Sequence, residues 1–111
     1  MEIGEQQEGN IIVLHPVGRI DNETSGDFQT RLLGAVTPEG AAVLVDFSAV
    51  DYISSAGLRA LMMGSKQSKA AKGRLAVAAL TPIVKEIFEI SRFSFVVQVF
   101  GTAADAITAL R

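Results

Sequence analysis

Two adjacent serines, Ser54 and Ser55, are the residues of this sequence best placed to do chemistry. They follow the apolar stretch at residues 42–47 and precede a helical pattern that starts near Leu58. A serine at the start of a helix caps it, because its oxygen accepts a hydrogen bond from an unpaired backbone N–H. An exposed hydroxyl there also suits phosphorylation, since the free N–H groups and the helix dipole stabilise an added anion. At least one serine is therefore expected to be a cap, and one is a candidate phosphate acceptor.

Other catalytic and ligand-binding templates are incomplete. A nucleophile elbow needs glycine two residues before the serine, and Ile53 stands there before Ser55. His15 is the single histidine, so a Ser-His-Asp triad would have to use it. One histidine with scattered carboxylates does not supply a metal site. We expect no enzyme activity, cofactor or metal; a hydrolase using Ser55 and His15 is the weaker alternative.

Composition indicates a small globular protein. The 111 residues suit one domain over residues 1–111, and 49% of them are hydrophobic, enough for a buried core. The absence of cysteine excludes disulfides and thiol chemistry. No apolar run approaches the roughly 18 residues of a membrane span, and the first residues lack the pattern of a signal peptide. We expect a cytoplasmic protein with no membrane partner.

Charge is unevenly distributed along the chain. The net charge of −2 gives no overall attraction to nucleic acid, so no direct nucleic-acid partner is expected. No acidic residue lies between Tyr52 and Lys85, although six of the ten Lys and Arg residues fall in this part. They are Arg59, Lys66, Lys69, Lys72, Arg74 and Lys85. The cluster is either a solvated helix face or a docking surface for an acidic partner.

Short apolar stretches predict the strands that must position the serines. They lie at residues 11–17, 42–47, 75–80 and 95–100, with a weaker strand at residues 2–7. The run at residues 42–47 is interrupted only by Asp46, which is typical of a strand covered on both faces.

Helical spacing of apolar residues predicts four helices. They begin after the cap candidates at residues 21–24, at the two serines, at Thr81 as the cap with Pro82 in the first turn, and at Gly101 and Thr102. The first pattern breaks at Pro38 and Gly40, and the second runs over residues 58–72 and stops at Gly73. Strands that alternate with helices imply crossover connections. The expected fold is therefore α/β, with a mixed central sheet of four to five strands and about four helices packed on it.

Three ordered segments carry a resemblance to a known family. They are residues 45–61, which end in Ser54-Ser55-Ala56-Gly57-Leu58; Gly18-Arg19-Ile20-Asp21; and Thr81-Pro82-Ile83-Val84-Lys85-Glu86-Ile87-Phe88. Together the segments resemble the STAS domain family, in particular its bacterial anti-sigma factor antagonists. Many relatives have aspartate before the phosphorylated serine, where this chain has Ser54.

The resemblance implies a phosphorylation-controlled binding protein. A serine kinase that is also the anti-sigma factor would phosphorylate Ser55, with Ser54 as the alternative acceptor, and a serine phosphatase would reset it. The unmodified chain would bind the anti-sigma factor and release the sigma factor. The resemblance also implies partner-binding residues, including an aspartate beside the acceptor. They are Asp21, Ser54, Gly57, Leu58, Arg59, Met63 and Lys66.

Two alternatives to this function stay open. The chain could be a STAS subunit of another assembly, in lipid transport or stress signalling. It could also be a small-molecule or nucleotide-binding module that uses the strand ends of the sheet, although no glycine-rich phosphate loop supports this.

Overall fold

The structure, a computed structural model, describes residues 1–37 and 39–111; Pro38, where the first helical pattern was expected to break, lies outside the described residues. The described strands are β1 (Ile3–Glu8), β2 (Ile11–Pro16), β3 (Gly18–Ile20), β4 (Ala42–Asp46), β5 (Val50–Ile53), β6 (Arg74–Ala78) and β7 (Gln98–Phe100). The described helices are α1 (Ser25–Ala35), α2 (Ser55–Ala70), α3 (Pro82–Ile90) and α4 (Ala103–Leu110), with a 3₁₀ turn at Phe93–Phe95.

A five-stranded mixed sheet forms the centre of the fold, in the order β1-β2-β4-β6-β7. β1 and β2 form an antiparallel hairpin, and the remaining neighbours run parallel. Apolar residues meet across the parallel strands, where Val13 pairs with Leu44 and Val45 pairs with Val77. The α/β architecture with a mixed sheet and four helices is confirmed.

Both faces of the central strand β4 are buried, as its continuous apolar run predicts. Because side chains alternate along a strand, Val43 and Val45 point to one face and Leu44 to the other. The first face packs with α1, α2 and α3 in the larger core cluster. The second face packs against α4 through Ala106 and Leu110. Three helices therefore share one face of the sheet, and α2 lies among them.

A chain of aromatic rings ties α1, the loop after β4, and α3 together. Phe47 is fully buried, and its ring centroid lies 6.4 Å from Phe28 and 6.1 Å from Phe88. Phe88 in turn meets Phe93 of the 3₁₀ turn at 5.4 Å in an edge-on arrangement. These contacts fix the side of the domain beside the start of α2.

A second, two-stranded parallel sheet, β3 with β5, was not expected from the sequence. Its strands are three and four residues long, too short to give a readable alternation. Ile20 and Ile53 are buried cross-strand partners at its end. Because the strands are parallel, the residues that follow them, Asp21 and Ser54, emerge at the same edge.

Two local expectations need correction. The strand expected at residues 95–100 is confirmed only at its end, because Phe95 belongs to the 3₁₀ turn and is 85% exposed. Thr81 does occupy the cap position of α3, but its hydroxyl donates to the carbonyl of Val50 at 2.7 Å and makes no cap hydrogen bond. At Thr81 a tertiary hydrogen bond therefore replaces the local cap.

Candidate functional site

The edge where β3 and β5 end brings Asp21 and Ser54 together. The backbone N–H of Ser54 donates to the carbonyl of Ile20 at 2.8 Å, which joins the two chain segments. A shallow depression of about 270 Å³ opens here, lined by Arg19, Asp21, Asn22, Glu23, Tyr52 and Ser54. Two of the expected site residues therefore share one surface feature.

Asp21 is held as a fixed negative charge by the turn that follows β3. Its Oδ1 accepts backbone N–H groups from Glu23 at 3.0 Å and Thr24 at 3.2 Å. The pKa of Asp21 lies below its ordinary value, mainly because of the hydrogen bond from the Glu23 N–H. The Thr24 N–H and the charge of Arg19 also lower this pKa, whereas partial burial of the carboxylate raises it. The turn at Asp21 thus leads the chain into α1, and its hydrogen bonds keep the Asp21 carboxylate ionised.

The two serines have different environments. Ser54 is the N-cap of α2, and its Oγ accepts the backbone N–H of Gly57 at 3.2 Å. Ser55 is the first residue of the helix and is exposed, and within the described chain its hydroxyl makes no hydrogen bond. The N–H groups of Ser55 and Ala56 likewise find no acceptor among the described residues. Ser54 thus caps the helix, while the Ser55 hydroxyl has no partner among the described residues.

The cap role of Ser54 predicts a loss of stability on removal of its hydroxyl. We expect Ser54→Ala to lower the free energy of unfolding by about 1 kcal/mol, because the Gly57 N–H loses its acceptor. Ser54→Thr keeps the hydroxyl and is expected to lose less than half as much. Urea unfolding of the three proteins measures both values; an unchanged Ser54→Ala midpoint would contradict the cap.

Arg19 and Tyr52 are site residues that the sequence did not indicate. They are cross-strand partners in β3 and β5, and the Arg19 guanidinium lies 4.4 Å from the centre of the Tyr52 ring. The Arg19 Nε is also 3.7 Å from Oδ2 of Asp21. The pairing depends on the register of the small sheet, so no local signal marks it. Arg19 is therefore a cation of the depression that already contacts Tyr52 and Asp21.

Ser55 faces a different surface, a mainly apolar groove between α2 and the segment after α3. The groove has a volume of about 340 Å³ and is lined by Ser55, Leu58, Arg59, Met62, Ser91 and Phe93. Phe93 is buried, and Leu58 and Met62 pack partly against the core. The groove places the expected acceptor next to two further expected residues, Leu58 and Arg59.

The remaining expected contacts lie along the outer side of α2. Arg59, Met63 and Lys66 follow each other at helical spacing and are exposed, Met63 to 40%. Neither cation takes part in an ion pair with another described residue. Gly57, in contrast, is buried beneath the helix start, against Ile20 and Ile53. Its burial positions the start of α2, and the partner-binding role expected for Gly57 stays a prediction.

Within the described chain, His15 makes no hydrogen bond to Ser54 or Ser55. Its ring nitrogens are 3.2 Å from Oε1 of Gln6 and 3.4 Å from Oδ2 of Asp46.

Among the residues described, no group of three His, Cys, Asp or Glu side chains is arranged to hold a metal ion. None of the helices in the described chain combines the length and hydropathy needed to cross a bilayer.

Comparison with known proteins places this geometry in a family. Residues 3–106 match the STAS domain family. The candidate anti-sigma factor antagonist BtrV of Bordetella bronchiseptica is 32% identical over 94 residues, which cover 85% of this chain and 81% of that protein.

Solved structures share the fold. The crystal structure of an anti-sigma factor antagonist from Mycobacterium paratuberculosis has a TM-score of 0.87 at 24% identity, covering 99% of this chain and 93% of that one. The Bacillus cell fate determinant SpoIIAA in its phosphorylated form has a TM-score of 0.73 at 17% identity, covering 99% and 100%. With a family match over nearly the whole sequence, the chain belongs to the STAS domain family and, within it, to the anti-sigma factor antagonists.

Proposed function

We propose that this chain is a phosphorylation-switched antagonist whose switch is Ser55. The unmodified form binds a serine-kinase anti-sigma factor and so releases the sigma factor, and phosphorylation of Ser55 ends the binding. A serine phosphatase restores the unmodified form. This proposal rests on the different environments of the two serines. Ser54 caps α2, while the Ser55 hydroxyl is exposed and makes no hydrogen bond within the described chain.

This difference between the two hydroxyl groups favours Ser55 over Ser54 as the acceptor. In the transfer, the Oγ of the serine forms a bond to the γ-phosphorus of ATP, the bond to the ADP oxygen breaks, and the hydroxyl proton passes to a base of the kinase. Ser55 can present its oxygen to an in-line phosphate without a change in the fold. Ser54 is half-buried, and its oxygen would first have to give up the Gly57 N–H.

The start of α2 can accommodate the phosphate in the free protein. A phosphoserine carries about −1.5 to −2 charges at neutral pH. The N–H groups of Ser55 and Ala56, which have no acceptor among the described residues, stabilise that charge together with the positive end of the helix dipole, while water solvates the rest. We therefore expect phosphorylation to leave the fold unchanged.

A bound partner changes this balance. Docking removes water from the phosphate, which lies in the groove of Ser55, one residue after the edge that carries Asp21 and Ser54. An unpaired charge buried at an interface costs several kcal/mol. We propose that the docking surface consists of the exposed side of α2 with this edge. Its contacts would be Asp21, Ser54, Leu58, Arg59, Met63 and Lys66, positioned by Gly57.

Phosphosite mapping tests the assignment directly. The chain and its Ser54→Ala and Ser55→Ala variants are expressed in the source cells, recovered under conditions in which the pathway is off, and analysed by intact mass and peptide sequencing. We expect the mass of one phosphate on the wild type and on Ser54→Ala, and none on Ser55→Ala. Modification that persists in Ser55→Ala and disappears in Ser54→Ala would move the switch to Ser54.

A further inference from the structure

We propose that Arg59 is the intramolecular partner of a phosphate on Ser55, so that phosphorylation also withdraws this cation from the docking surface. This inference rests on the proposed function, since it concerns the phosphorylated state of the same site. It adds an attractive contact within the domain to the desolvation cost described above. The switch would then have two components, one at each end of the first turn of α2.

The position of Arg59 on the helix favours this contact. Ser55 and Arg59 are four residues apart in α2 and line the same groove. Side chains at this spacing share one face of a helix, and a helical side chain leans toward the N-terminus, which directs Arg59 toward Ser55. An acidic group four residues before a basic one is also the more favourable order for a helical ion pair.

Arg59 is also available in a way that Arg19 is not. Within the described chain it belongs to none of the ion pairs, and no acidic residue occurs between Tyr52 and Lys85. Arg19 is already held between Asp21 and the Tyr52 ring, and it lines the depression of Ser54, on a different surface from the groove of Ser55. A guanidinium presents a planar fork of donors that matches phosphate oxygens. Arg59 is therefore the cation that a phosphate on Ser55 would capture.

Capture of Arg59 would change the character of the groove. In the unmodified chain the groove combines apolar walls with the guanidinium of Arg59, which forms no ion pair with another described residue, and this surface suits an apolar side chain beside a carboxylate. With the phosphate present, the cation is neutralised and excess negative charge lies at the same edge. A partner then loses an attractive contact and gains a repulsive one.

The test is a phosphorus NMR titration of protein with phosphoserine installed at position 55 during synthesis, which requires no kinase. The second pKa of phosphoserine is ordinarily about 6. A neighbouring guanidinium favours the dianion, so we expect this pKa to be about half a pH unit lower in the wild type than in Arg59→Gln. Arg59→Lys should recover part of the difference.

Two variants that remove the same charge elsewhere serve as controls. Lys69 lies about 21 Å along the helix axis from Ser55, beyond the distance over which charges interact in physiological salt. Lys69→Gln should therefore leave the phosphate pKa unchanged. Arg19→Gln should move it less than Arg59→Gln does. The same pKa in the wild type and Arg59→Gln, or a larger change in Arg19→Gln, would overturn the proposal. Either result would leave the proposed function standing, because that depends on phosphosite mapping.

Discussion

A chain with phosphoserine at position 55 is expected to bind its anti-sigma partner about 100-fold more weakly than the unmodified chain. The phosphate would be desolvated at the interface, in the groove that Ser55 lines, and such a charge costs several kcal/mol when water is removed. Each 1.4 kcal/mol is tenfold in affinity, so a cost of about 3 kcal/mol gives the stated factor. Titration calorimetry with the purified partner, recovered with a Ser55→Ala bait, measures both dissociation constants.

Variants at the same position separate charge from shape. Ser55→Ala removes the acceptor without adding charge and should bind within about twofold of the wild type, because the Ser55 hydroxyl makes no hydrogen bond within the described chain. Ser55→Asp adds one negative charge and should weaken binding, though less than a phosphate does. The far-ultraviolet circular dichroism of all forms should agree. Equal affinity of the phosphorylated and unmodified chains would refute the switch.

Gly57→Ala is expected to lower the free energy of unfolding by about 2 kcal/mol. A methyl group at this position would lie 2.6 Å from Cγ1 of Ile53 and 2.8 Å from Cγ2 of Ile20, closer than real contacts allow. Both isoleucines are buried and branched at Cβ, so neither can move aside easily. Relief requires the start of α2 to shift away from the β3–β5 sheet, and overpacking of this kind costs about 1–3 kcal/mol. Urea unfolding monitored by circular dichroism measures the loss.

Gly34→Ala is the matched control for this substitution. Gly34 also lies in a helix, but it is exposed in α1, and a methyl group there meets nothing within 4 Å. Alanine favours the helical conformation, so this variant should gain about 0.5 kcal/mol. The two substitutions thus have opposite expected signs. A stabilising effect of Gly57→Ala would show that the helix start is not constrained by the sheet below it.

Much of the fold could be predicted because its determinants are local. The continuous apolar run of β4 indicated a strand buried on both faces, and this is confirmed. The pair Thr81-Pro82 indicated the start of α3, and the two serines indicated the start of α2, both within one residue. Caps, helix breakers and periodicity act over a few residues, so they can be read from neighbouring positions alone.

Features that depend on distant residues were not visible in the same way. The β3–β5 sheet forms because Ile20 and Ile53, far apart in sequence, are buried together. Phe95 looked like the start of a strand, but it belongs to a 3₁₀ turn whose first residue, Phe93, packs on Phe88. The pairing of Arg19 with Tyr52 follows from the register of the short sheet.

The candidate site also has features that depend on neighbouring residues and features that depend on distant ones. The sequence by itself determined that a hydroxyl lies at the start of a helix, because capping preferences and the following apolar period both require the helix to begin there. Only the tertiary structure decided which serine serves as the cap, which surface the other one faces, and which cation lies beside it. The physical reason is that a hydrogen-bond cap is a local geometry, whereas a groove is formed by segments that meet only after the chain has folded.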